Sequence, residues 1–170
     1  MNIYLTTDTH FGHDKMVEYC DRPKDFNERI LQEYRNTLKS GDILIHLGDI
    51  CIGHDSEWHL DLNGYIPANV KRILVKGNHD RKSNTWYLTH GWDLVCDTFS
   101  LNGILFSHEP LEKFYGHSLN IHGHFHNKNH RLIDGKYQWY GKFNKKFSIE
   151  EHNYVPVKLD TFLKWTSNTS

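Results

Sequence analysis

Cysteine is scarce in this chain of 170 residues: Cys20, Cys51 and Cys96 are all there are, and none belongs to a CxxC pair. That argues against a disulfide framework or a cysteine-based zinc site, and for a reducing, cytoplasmic setting. Long apolar runs are missing too, since nothing reaches the ~18 residues that a membrane span needs. The opening MNIYLTTDTHFGH has no basic segment leading into an apolar core, which predicts no secretory leader. Charge of one sign is not in excess. Twenty basic residues face 21 acidic ones, for a net charge of -1 and a pI near 6.9. Such a balance gives no global pull toward nucleic acid or membrane surfaces. Internal repeats, low-complexity tracts and long linkers are absent as well. With 38% hydrophobic and 14% aromatic residues, the chain reads as one globular domain, 1–170, with its own core.

Histidine is abundant instead. The chain has 14, more than its 12 glycines or its nine tyrosines. Imidazole is the commonest metal ligand and titrates nearest neutral pH. His54, His59, His90, His117, His130 and His152 follow no positional pattern and read as surface residues. The others do follow one.

Residues 2–7 (NIYLTT) predict a short strand ending at Asp8. Residues 27–40 predict a helix, with Ile30, Leu31, Tyr34 and Leu38 on one face, Asn27 as its cap and Gly41 as its stop. DILIHLGD (42–49) reads as a buried strand, 56–66 as a short helix closed by Pro67, and KRILVKGNHD as a third strand. Residues 84–92 form a weaker helical pattern. DLVCDTF and ILFSHE suggest two strands joined through Leu101–Asn102–Gly103. SLNIHGHFH reads as another strand, Asp134–Gly135 as a hairpin signal, and the tail as a strand and a closing helix. Strands alternating with helices and then strand-rich sequence predict α/β layers with a mixed sheet.

Polar clusters end these strands. Asp8–Thr9–His10 ends the first, Gly48–Asp49 the second and Gly77–Asn78–His79–Asp80 the third. Ser107–His108 and His122–Gly123–His124–Phe125–His126 end two later ones. Ligands of α/β sheets bind beyond the carboxyl ends of strands. Carboxylate, carboxamide and imidazole are oxygen and nitrogen donors that suit Mn²⁺, Fe, Ni or Zn²⁺. Asp8 and His10, like His124 and His126, stand two apart, so an extended backbone points both members of a pair the same way. Each motif alone is weak, but five in this order are specific.

That series, DxH, GD, GNHD, a lone His and GHxH, resembles the calcineurin-like metallophosphoesterase superfamily over positions 8–126. DTHFGH followed by YCDRP looks like a small single-domain branch found in bacteria and their phages. The resemblance implies a four-layered α-β-β-α sandwich with mixed sheets and a centre of two divalent ions. Asp8, His10 and His126 would hold one ion and Asn78, His108 and His124 the other, with Asp49 bridging. Two such ions ~3.5–4 Å apart clamp a phosphoryl group and activate a water for in-line attack. His79 would serve as general acid, worth ~10²–10⁴-fold in rate. Asp80 either orients His79 or caps the next helix.

His13 and Arg22 are candidate phosphate contacts, Arg22 being equally readable as a surface salt bridge. Arg81 reads as a solvated helix start. His46 reads as a core histidine, His122 as a group behind the ligands, and Cys51 as a small buried hydrophobe. Trp139, Tyr140 and Phe143 fit a core or a homodimer face better than a base-stacking surface. The expected activity is hydrolysis of a small phosphoester or nucleotide, a phosphodiester before a monoester, with Mn²⁺ as the expected metal. The alternative is a scaffold that keeps the fold without catalysis, although every motif position is occupied. A repair-type nuclease would need DNA-binding segments that this near-neutral chain has little room for. A protein Ser/Thr phosphatase would carry GDxxDRG and GNHE, where this chain reads GDICIG and GNHD.

Overall fold

The fold comes from a computed structural model, which describes residues 1–128 and 135–167. In chain order, the strands are β1 (Ile3–Thr6), β2 (Ile43–His46), β3 (Lys71–Val75), β4 (Leu94–Cys96), β5 (Thr98–Leu101), β6 (Ile104–Ser107), β7 (Leu119–His122), β8 (Asn144–Lys146) and β9 (Val157–Lys158). The helices are α1 (Met16–Tyr19), α2 (Phe26–Thr37), α3 (Asp55–Tyr65), α4 (Asn84–Thr89) and α5 (Leu159–Ser167), with a 3-10 turn at Glu150–His152.

Two mixed sheets form, as the α/β pattern predicts. One runs β4-β3-β2-β1-β9, parallel except for the antiparallel β9. The other runs β5-β6-β7-β8, parallel except for β5. Strand alternation explains how they stack. Tyr4, Leu44 and Leu74 point outward to Ile30, Tyr34 and Leu62 of α2 and α3. Their neighbours Leu5, Ile45 and Val75 point inward, to Phe106, Ile121 and Phe147 of the second sheet region. Phe162 of α5 joins this inner core. Full burial of each such side chain contributes about 1.5–3 kcal/mol.

Several sequence expectations change in detail. Asn27 does not cap α2; its Oδ1 accepts the Gly12 N–H at 3.2 Å instead, and the helix starts at Phe26. Gly41 lies beyond the helix, which ends at Thr37. DLVCDTF is not one strand. It divides into β4 and β5, which belong to different sheets. The Asn102–Gly103 turn is present, with both residues at positive φ (50° and 78°) between antiparallel β5 and β6. The Asp134–Gly135 signal falls partly on Asp134, outside the described residues, as does His130. The described part, 135–140, forms turns. His59 is not a surface residue. It is 1% exposed, its ring 4.9 Å from that of Trp86 and 5.6 Å from that of Tyr87.

Candidate metal centre

The loops that follow β1, β2, β3, β6 and β7 meet at one end of the two sheets. Backbone hydrogen bonds join them. Asp8 N–H donates to Gly48 O at 2.8 Å, His10 N–H to Asp49 O at 3.0 Å and Gly123 N–H to His108 O at 3.0 Å. Gly48 and Gly77 let the second and third loops touch. A Cβ on Gly48 (φ +93°) would sit 2.6 Å from Gly77 Cα, and one on Gly77 would sit 2.6 Å from Asp49 N. No side chain fits there.

The geometry of the ligand pairs corrects one expectation. Asp8, His10, Asp49, His124 and His126 all have positive φ, between 47° and 68°. The paired residues therefore do not point together through extended backbone; each lies on a left-handed turn after its strand has ended. Such conformations cost free energy and collect at functional sites.

Two groups of donors result, one of Asp8, His10 and His126, the other of Asp49, His108 and His124. Asp8 Oδ1 lies 3.8 Å from His10 Nε2 and 3.6 Å from His126 Nε2. Its other oxygen accepts from Thr7 Oγ1 at 2.5 Å and from His124 N–H at 2.9 Å. In the second group, His108 Nε2 lies 3.1 Å from Asn78 Oδ1 and 3.0 Å from His124 Nδ1. Asp49 Oδ2 stands between the groups, 3.6 Å from His10 Nε2 and 3.3 Å from His108 Nε2. His108 Nδ1 donates to Leu47 O at 2.7 Å, which turns Nε2 toward the centre.

The electrostatics suit cations. Burial opposes charge on Asp8, yet the imidazoles of His126, His108 and His10 hold its carboxyl well below the usual range. Asp49 is lowered as well, mainly by His108 working against burial. Asp8 Oδ1 is buried and has no hydrogen-bond partner among the described residues. A buried carboxylate oxygen facing imidazole nitrogens, without a donor of its own, fits a divalent ion.

His79 and His13 line a cavity of about 500 Å³ in front of these groups. Their rings lie 5.5 Å and 5.8 Å from that of His10. His79 N–H donates to Asp49 Oδ1 at 2.8 Å. Asp80 neither contacts the His79 ring through any hydrogen bond described nor caps α4, whose cap is Ser83. Its carboxylate instead accepts N–H groups from Asp49, Ile50 and Gly77 at 2.8, 3.1 and 2.8 Å, clamping two loops together.

Arg22 does not reach the cavity as a phosphate contact, nor is it a surface ion pair. Its side chain has no exposed surface and pairs with Glu150 at 2.6 Å. His46 is buried and tied to the loops: its Nε2 pairs with Thr9 Oγ1 at 3.1 Å, and its Nδ1 accepts Gly48 N–H at 3.1 Å. His122 donates to or accepts from Tyr140 OH at 2.9 Å, which uses Tyr140 in packing. Cys51 is buried, and burial pushes its thiol up to about 12. Phe143 is exposed at 53%. Glu150 is the group that sequence reasoning misses. It accepts from His126 Nδ1 at 3.0 Å but lies 24 positions later, outside every motif. The one available signal was Arg22, a cation in a loop next to the first motif that needed a partner.

Two candidate donor groups, with Asp49 between them, lie at strand ends of a two-sheet α/β sandwich. The chain belongs to the calcineurin-like phosphoesterase family, whose pattern matches residues 1–168. That family binds divalent metals and acts on phosphoesters. The chain is 30% identical over 180 residues to the uncharacterized protein MJ1445 of Methanocaldococcus jannaschii, covering 95% of this chain and 89% of that one. It resembles the crystal structure of AQ665, a protein of unknown function from Aquifex aeolicus, with a TM-score of 0.68 and 25% identity. That match covers 96% of this chain and 98% of the other. The nuclease MPE of Pseudomonas putida shares the fold at a TM-score of 0.51 and 22% identity, over 73% of this chain and 61% of that one. Among the described residues, no helix is long and apolar enough to cross a membrane.

Proposed function

We propose that this protein hydrolyses a phosphodiester at a centre of two divalent cations, with Mn²⁺ as the working metal. The observation that carries this reading is the position of Asp49 Oδ2, within 3.6 Å of His10 Nε2 and 3.3 Å of His108 Nε2. One oxygen so placed is within reach of an ion in either group, which supports a bridging role. Asp8, His10 and His126 would hold one ion, Asn78, His108 and His124 the other, and Asp49 both. When bound, such a pair of ions neutralises phosphoryl oxygens and makes water a nucleophile at neutral pH. Asn78 is a neutral donor, so it leaves the centre more positive for an anionic substrate.

His79 acts from the cavity wall. Its backbone is fixed on Asp49, so its ring tracks the bridging carboxylate. In hydrolysis the water oxygen forms a bond to phosphorus, and the bond from phosphorus to the leaving oxygen breaks. His79 gives its proton to that leaving oxygen. His13, which also lines the cavity, contacts a phosphoryl oxygen. Met16, Tyr19 and Phe125 supply apolar surface in the same cavity, with Lys128 beside them. Apolar lining beside the donor groups suits the second ester substituent of a diester.

The test is a rate comparison. Mn²⁺-loaded protein is expected to hydrolyse bis-(p-nitrophenyl) phosphate faster than p-nitrophenyl phosphate. His79→Ala should lower the diester rate by ~10²–10⁴-fold while bound Mn²⁺ stays the same. An undiminished rate in that variant removes His79 from its role. A protein inert with Mn²⁺, Fe²⁺, Ni²⁺ and Zn²⁺ alike would instead be a scaffold that retains the fold.

A further inference from the structure

Glu150 lies behind the candidate metal centre and collects several polar contacts. Its Oε1 accepts from His126 Nδ1 at 3.0 Å and from Arg22 Nε and Nη2 at 3.0 and 2.6 Å. Its Oε2 accepts from Ser148 Oγ at 2.7 Å. Arg22 reaches further. Its Nη1 donates to Thr9 O at 2.7 Å and its Nη2 to Asp8 O at 2.6 Å, with the guanidinium 5.0 Å over the Phe26 ring. One buried ion pair thus joins the Asp8–His10 loop, the start of α2, His126 and the 148–150 turn.

Two uses of this cluster compete. Cys20, His126 and Glu150 bring donor atoms within 4.8 Å of one another, a spacing that a further metal ion accepts. Arg22 speaks against that use, because its guanidinium already rests on Glu150 and would repel an arriving dication. The other use is orientation. A neutral imidazole that donates from Nδ1 to a carboxylate presents the lone pair of Nε2, and Nε2 of His126 is the atom that faces Asp8 Oδ1 at 3.6 Å. Carboxylates behind metal-bound histidines fix ring and tautomer, and their loss typically costs ~10–100-fold in metal affinity or activity.

Resting on the two-cation reading above, we propose that Arg22 and Glu150 are a positioning pair. They orient His126 and the Asp8–His10 loop, and so govern uptake of the cation held by Asp8, His10 and His126. The cation held by Asn78, His108 and His124 depends on them less, since the His108 ring takes its orientation from Leu47 O and only His124 N–H, bonded to Asp8 Oδ2, links that group to the loop.

Calorimetric titration with Mn²⁺ tests this on the full chain. Glu150→Gln is expected to weaken one of two Mn²⁺ sites by ~10–100-fold and the other by much less. Ser148→Ala keeps the ion pair and should give a smaller loss at the same site, which preserves the test if Glu150→Gln does not fold. In a His126→Ala background, Glu150→Gln should have a much smaller effect, because only the Arg22 contacts to the Asp8–His10 loop remain for it to act through. Equal losses at both sites, or an undiminished effect without His126, would mean a merely structural pair and overturn the proposal. So would a third Mn²⁺ or Zn²⁺ equivalent that disappears in Cys20→Ala. A wild-type chain that takes up no divalent metal overturns the two-cation reading itself. Two normal sites that ignore Glu150→Gln overturn only the positioning role.

Discussion

Buried histidines have opposite fates in two regions of this molecule. At the metal centre, burial disfavours charge on His108 and His126, but neighbouring carboxylates win. Asp8 and Asp49 push His108 up to about 9, and Asp8 with Glu150 pushes His126 up to about 10. In the packing behind the centre, burial wins. His46 and His122 fall to about 3 and His59 to about 4. Depth does not separate the two sets, since all five are mostly or wholly shielded. The balance between burial and nearby carboxylates does, and burial still wins at His10, which is lowered although Asp8 and Asp49 lie 3.8 and 3.6 Å from its Nε2. His46, His59 and His122, enclosed by packing, become neutral hydrogen-bonding spacers, whereas His108 and His126, enclosed with Asp8, Asp49 or Glu150, mark a place prepared for positive charge.

The largest break in this contrast comes from Asp80, which holds the carboxylates of the first region in place without touching their histidines. Burial pushes its carboxyl up to about 6 against three N–H donors. Asp80→Ala leaves the N–H groups of Asp49, Ile50 and Gly77 without their acceptor. The expected loss is roughly 3–5 kcal/mol of stability in urea denaturation. Mn²⁺ binding should weaken at both donor groups together if, as proposed, Asp49 serves both. A stable variant with one weakened site would show that the loops hold their shape without Asp80.

Gly77→Ala is the next largest. The new Cβ would lie 2.6 Å from Asp49 N and 2.8 Å from Asp49 Cγ, so the bridging carboxylate must move. A cost of about 3 kcal/mol is expected, near the top of the range for overpacking. Phosphodiester hydrolysis should fall further than stability, because the displaced atoms are those proposed to join the two cations. Wild-type turnover in this variant would mean that Asp49 does not need its present position.

How much of this could be read beforehand follows the same division. The convergence of Asp8, Asp49, His108, His124 and His126 is legible because strand ends are marked by polar residues after apolar runs, and parallel strands bring such ends together. The two sheets are legible in part. Residues 93–99 look like one strand because nothing local marks the step from β4 to β5 at Asp97. The backbone at the ligands is not legible: Asp8 and His10 look extended by spacing, and only tertiary contacts force them to positive φ. Glu150 escapes for a different reason. Its role depends on a contact to His126 made by a 3-10 turn, and neither hydrophobic period nor motif spacing encodes that. His59 escapes because its helix pattern gives no clear apolar face, so an interior position looks like a surface one.

The smallest effect concerns that same histidine and is confined to acid pH. His59 Nδ1 bonds to Asp55 O at 2.8 Å, while its Nε2 is buried without a partner among the described residues. Burial lowers its pKa from 6.5 to about 4. The unfolded chain therefore binds a proton here between those two values and the folded chain does not. Stability from this group is complete above pH 6.5 and is lost as pH falls toward 4. His59→Phe keeps the ring among Trp86, Tyr87 and Trp92 and removes the titration. Between pH 7 and pH 5 the wild type should lose about 2 kcal/mol more than the variant, by urea denaturation without added metal. His46 and His122 titrate in the same direction and remain in both proteins, so the difference isolates one residue. Parallel pH profiles would mean that burial leaves the His59 pKa unshifted and would break the division into two regions.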